Sequence, residues 1–187
     1  LRTVTGVQTC ALPISLTATS NSITMTVTGA ITYCTASSTN TSHQYIKKVV
    51  MGSISNSSGA TTYSNFTSLS TNVTVGTGTS ITVTRGRTYS TNIVVIFCDW
   101  NNNGSFTDAG ETVYTSAYTS YTFPGNTPVP FTVTVPTTAT AGLTRMRVVV
   151  NESSVAPTPT QAATWGEGED YLVNVLALSN GGNTWSW

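Results

Sequence analysis

Five side chains able to offer oxygen to a cation stand within one short stretch: Asp99, Asn101, Asn103, Asp108 and Glu111. The first three occupy alternate positions, and Gly104 follows them. Alternate residues in a tight loop turn their oxygens to the same side, glycine allows the bend, and later acids close the shell. The carbonyl of Ser105 completes the expected ligand set. Calcium is the cation such a hard, all-oxygen set suits. The chain holds only seven acidic residues, and three of them are spent here. The last acid falls one place late for an EF-hand loop and no helical pattern flanks it, so the expected affinity is modest. An Asn- and Gly-rich hairpin tip is the competing reading, because these residues favour turns with or without a metal.

The other four acids are Glu152 and the group Glu167, Glu169 and Asp170. Paired carboxylates can serve acid–base hydrolysis. Here they are expected to be structural, at the rim of a β-sandwich, as ion-pair partners of Arg145 and Arg147; Asp170 could also share in the metal shell. His43 is the single histidine, which argues against multi-histidine zinc sites. No nucleophile motif accompanies it, so no catalytic residue is assigned and the chain is expected not to be an enzyme. Trp100, Trp165, Tyr114, Tyr118 and Tyr121 could stack on sugars, although core packing is the commoner use of aromatic residues. Tyr114, Tyr118 and Tyr121 are the candidates for exposed ligand contact.

The elements that must position these groups read as strands. Ile23–Thr28 alternates apolar and polar residues, as does Phe131–Val135 before Pro136. Tyr45–Met51, Val73–Val75, Ile81–Thr84 and Thr112–Tyr114 are further strands, with a turn at Gly76–Gly78. Ile93–Cys98 is apolar throughout and reads as a central strand covered on both faces, with the acidic loop starting at its end. Met146, Val148 and Val150 share one face and the two arginines the other. Tyr171, Val173 and Val175 form the inward face of the last strand. The pattern predicts an all-β, antiparallel β-sandwich of jelly-roll or immunoglobulin-like type.

Only 7% of the 187 residues are charged and the net charge is zero, whereas roughly a third are Ser or Thr, an inversion of the ordinary soluble composition. There is no basic patch for nucleic acid and no run long enough to span a membrane. Residues Val4–Ile14 match the conceptual translation of a sequencing-library adapter. Residues 1–15 are therefore expected to carry no function, and Cys10 is left out of the disulfide count. Residues 16–30 would be the end of a preceding domain or a first strand, 31–176 the sandwich, and 177–187 a linker to a further domain.

Tyr33-Cys34, His43-Gln44-Tyr45-Ile46, Asp99-Trp100-Asn101, Thr144–Val148 and Gly166-Glu167-Gly168-Glu169-Asp170-Tyr171 occur in an order that resembles the GEVED domain over residues 31–176. That resemblance implies a β-rich module of secreted and surface proteins, chiefly from Bacteroidetes, set beside proteases, adhesive repeats or secretion tails. It implies no catalysis. The expected role is structural or adhesive, at the cell surface or secreted. The partners would be neighbouring domains of the same chain, or a surface glycan or protein; a carbohydrate-binding module is the alternative. Three positions depart from the family pattern. Gly168 replaces valine, a change expected to matter little. Asn103 replaces an acid, which lowers the charge available to calcium. Thr160 replaces a cysteine, removing the expected partner of Cys34 and leaving open whether Cys34 pairs with Cys98.

Overall fold

In the computed structural model, the described residues are 31–87, 91–116, 119–120, 128–160 and 163–178. The adapter-like segment, the Ile23–Thr28 strand, Tyr118, Tyr121 and most of the expected linker lie outside them. Eleven strands are formed among the described residues: β1 (Ser38–Asn40), β2 (Tyr45–Met51), β3 (Ile54–Ser57), β4 (Tyr63–Thr74), β5 (Gly78–Gly86), β6 (Thr91–Cys98), β7 (Thr112–Thr115), β8 (Thr119–Ser120), β9 (Pro128–Thr134), β10 (Gly142–Asn151) and β11 (Ala163–Leu176). No helix among them is long and apolar enough to cross a membrane.

The strands form two sheets. One runs β3-β2-β5-β9. The other runs β1-β11-β10-β6-β7, with β4 also on β11 and β8 also on β6. Most pairings are antiparallel, as expected, but β1 and β4 both run parallel to β11. A 14-residue strand has room for this: its start takes β1, and the rest of the same edge takes β4.

Alternation explains the layers. Successive side chains of a strand point to opposite faces, so Val94, Ile96 and Cys98 enter the core between the sheets with Met146, Val148, Val150, Tyr171 and Val173. Their neighbours Ile93, Val95 and Phe97 join Ala36, Phe106 and Val149 in a second, smaller core on the outer face. The seven-stranded sheet is thus covered on both faces, and that is why β6 reads as an unbroken apolar run. Residues 31–37 and the loop after β6 supply the outer cover.

Candidate functional site

The acidic loop leaves β6 and returns as β7, and it is sewn to the sheet at its root. Asp99 N donates to Arg145 O (3.1 Å), Cys98 N to Glu111 O (2.9 Å) and Thr140 N to Trp100 O (2.8 Å). The Thr144 hydroxyl donates to the Asp99 carbonyl. Two buried carboxylates then hold the loop by its backbone. Asp99 Oδ1 accepts Asn103 N (3.1 Å) and Oδ2 accepts Gly104 N (2.8 Å). Glu111 Oε1 accepts Trp100 N (3.0 Å) and Oε2 accepts Asp108 N (3.2 Å). Gly104 sits at φ 87°, a left-handed value that most side chains resist, so the glycine at this place is a backbone requirement.

Between these anchors the polar side chains converge. Asn101 Nδ2 and Asn103 Nδ2 both donate to Asp108 Oδ2, at 3.0 and 2.7 Å. The oxygens of Asn101 and Asn103 each accept the N–H two residues on, and Ser105 Oγ accepts Thr107 N. A carbonyl oxygen has two lone pairs, so such a turn bond leaves one free. Burial, aided by the charges of Asp99 and Asp108, raises the Glu111 carboxyl above its ordinary range. The three acids of the loop are therefore close enough to repel. Among the described residues no three His, Cys, Asp or Glu side chains are grouped to hold a metal; the donor set depends on Asn101, Asn103 and the Ser105 carbonyl beside Asp108. By its chemistry that set is all oxygen and low in charge, which fits a hard cation held weakly.

The acids of β11 behave differently from expectation. Glu167 and Glu169 are 1% and 0% exposed; they lie between the sheets and not at the rim. Neither is bonded to an arginine. Glu167 accepts Thr61 Oγ1 (2.6 Å) and Ile46 N (2.9 Å). Glu169 accepts Ser58 Oγ (2.6 Å) and Tyr171 OH (2.7 Å), and the Tyr171 oxygen accepts Asn56 Nδ2 (3.0 Å). The parity that puts them inward with Tyr171 also takes them away from Arg145 and Arg147, which point outward. With burial dominating and only neutral donors opposing it, the Glu169 carboxyl is pushed up to about 7, and Glu167 is raised in the same direction.

Asp170, on the outer face, takes both arginines. Arg147 Nε and Nη2 grip its two oxygens at 2.6 and 2.8 Å, while Nη1 donates to Pro159 O (2.6 Å). Arg145 Nη1 adds a contact at 3.2 Å and Tyr63 OH another at 2.9 Å. Arg147 is fully buried and lies 4.9 Å from the Phe106 ring. The partners of Asp170 are Arg145, Arg147 and Tyr63, and none of them belongs to the loop.

The remaining candidates are placed as follows. Trp100 is buried in the main core, and no hydrogen-bond partner reaches its Nε1 among the described residues. Tyr114 packs 4.2 Å from Phe131, centroid to centroid, and Trp165 stacks on His43 at 4.6 Å. His43 Nδ1 meets Glu152 Oε2 at 2.8 Å. Tyr114 and Trp165 are only partly buried, and Tyr118 and Tyr121 lie outside the described residues. Cys98 is a free, buried thiol, its pKa raised by burial. Cys34 is disulfide-bonded and Cys98 is not, so the two are not joined to each other.

Sequence reasoning missed two features. Tyr33 OH donates to Asp99 Oδ2 at 2.5 Å, joining a residue far back in the chain to the first acid of the loop. The second is Gly168. A Cβ there would stand 2.3 Å from the Ala36 carbonyl, so the departure from valine is not neutral. The signal for it was the departure itself.

The ordered acidic loop, the Arg-x-Arg strand and the buried Gly-Glu-x-Glu-Asp entry are the parts that a comparison with known families can test. The family model of the GEVED domain matches residues 93–174. The match begins inside β6 and ends inside β11, so it takes in the loop and the motif strand together. Residues 31–92, which the expected resemblance also took in, lie outside the match. A search of curated proteins gave no match.

Proposed function

We propose that this chain is a non-catalytic, calcium-stabilised β-sandwich module of a larger exported protein, with a structural or adhesive role at the cell surface or in the surrounding medium. The carrying observation is the convergence of Asn101 and Asn103 on Asp108, within a loop whose two other acids are fixed by backbone N–H groups. Such a loop is organised before any ion arrives. A cation would be held by Asp108, the two amides, the Ser105 carbonyl and the free lone pair of Asp99, and Glu111 would close the loop behind them. The ion supplies charge neutralisation and loop rigidity; it has no reaction to perform. The export setting is supported by the charge-poor, hydroxyl-rich composition and by the GEVED match. The partners would be neighbouring domains of the same protein, and a surface glycan or protein for adhesion.

Thermal unfolding in calcium and in chelator tests the proposal. With an affinity in the 10⁻⁴–10⁻³ M range of extracellular modules, 10 mM calcium should add about 1.4–2.7 kcal/mol. For a domain of this size that is a rise of about 3–10 °C. Asp108→Ala should remove most of the rise. A chain that melts at one temperature in both buffers, and takes up no calcium by calorimetry, sinks the reading.

A further inference from the structure

Residues 31–38 cross the outer face of the seven-stranded sheet as a strap, fixed at three places. At its start, Ile31 lies against the acidic loop, where a Cβ on Gly104 would come within 2.9 Å of Ile31 Cγ2. Next, the Tyr33 ring lies 5.2 Å from Phe106, with the Arg145 guanidinium 4.3 Å from its centroid, and its hydroxyl reaches Asp99. At its end, Ala36 rests directly on Gly168, and the Ser38 hydroxyl donates to the Gly166 carbonyl.

We infer that this strap is the positioning element for cation capture, an inference that rests on the calcium reading above: Tyr33 occupies one oxygen of Asp99 so that the other faces the ion, and Gly168 provides the seat that brings Tyr33 there. Asp99 Oδ2 accepts two donors, Gly104 N and Tyr33 OH, and has no lone pair left to give. Oδ1 accepts Asn103 N alone and keeps one. A carboxylate locked this way meets the cation with its orientation already set, which cuts the ordering cost of binding. Partners that orient a ligand from behind typically matter to metal affinity by 10- to 100-fold. Valine at position 168 would lift the strap from the sheet and take Tyr33 with it, so a residue remote in sequence from the loop becomes part of its specification.

Calcium titration calorimetry on the full chain, with melting in calcium and in chelator, tests this. Tyr33→Phe keeps the ring and removes only the donor. It should weaken calcium about tenfold, and Gly168→Val should shift affinity in the same direction. Val133→Ala, in the main core on β9 of the other sheet, controls for lost stability and should keep the wild-type calcium affinity. If Gly168→Val does not fold, Tyr33→Phe decides alone. Wild-type affinity in Tyr33→Phe overturns the inference, as does a Val133→Ala that binds calcium equally weakly. No calcium uptake by the wild-type chain overturns the calcium reading and this inference together, whereas uptake that Tyr33→Phe leaves unchanged overturns the inference alone.

Discussion

The start of β11 and the loop after β6 both gather carboxylates, and they differ in whether any of that charge is met by arginine. In β11 each acid has permanent protein partners: two arginines for Asp170, hydroxyls and one amide N–H for Glu167 and Glu169. In the loop, Asp99 and Glu111 are bonded chiefly to backbone N–H groups and Asp108 to two side-chain amides. None of those donors carries a charge. In the first region Asp170 is neutralised by arginine, while Glu167 and Glu169, like the acids of the loop, have neutral donors only. The second is organised, and none of its acids is paired with arginine or lysine among the described residues. Acid count alone would rank the two alike; partner type separates them.

The strongest way to sharpen this contrast is to break the arginine pairing. Arg147→Ala leaves Asp170 buried with a weaker partner, and should cost about 3–5 kcal/mol in denaturant unfolding. A loss near zero would mean that the pair is not what fixes β10 to β11. A smaller effect is expected at Glu169, and its sign is unusual for an acid. Its folded pKa of about 7 lies above the ordinary 4.5, so between those values the folded chain binds more protons than the unfolded one. Stability contributed here is therefore full below about pH 4.5 and lost as pH rises through 7, a fall on the order of 2–3 kcal/mol. Glu169→Gln should flatten that part of the stability–pH curve, and an unchanged slope would remove Glu169 as its cause. The smallest effect belongs to the loop. Glu111→Gln, measured in chelator, should change stability by less than about 1 kcal/mol, because relief of repulsion offsets the weaker backbone bonds. In calcium the same variant should lose much of the ion's stabilisation. If instead it unfolds the chain in chelator, the loop's acids are as structural as Asp170 and the contrast fails.

Much of the fold was legible because burial imposes simple periods. Tyr45–Met51 matches β2 at both ends, and the unbroken apolar run of β6 foretold a strand covered on two sides. Partner choice was not legible. Glu167 and Glu169 had the parity of the inward face, yet the arginines nearby in sequence suggested ion pairs; the hydroxyls that satisfy them come from the segment between β3 and β4, over a hundred residues earlier. The parallel pairing of β4 with β11 was hidden for the same reason, since a single strand's pattern does not say which strand lies beside it. In the candidate site, the loop's residue types and spacing were readable. The hand of Tyr33 on Asp99 was not, because a long-range hydrogen bond leaves no mark in local composition.

The placement of β11 has a bearing on when this molecule can become itself. The last of the described strands lies between β10 on one side and β1 and β4 on the other, so β1 and β4 must wait for a strand made some hundred residues after them. Such distant pairings close slowly. A polypeptide shortened before Leu176 would lack the strand against which they align, and is expected to stay open and protease-sensitive. Until that strand is made, β1 and β4 have no partner in the larger sheet, and that sheet cannot close.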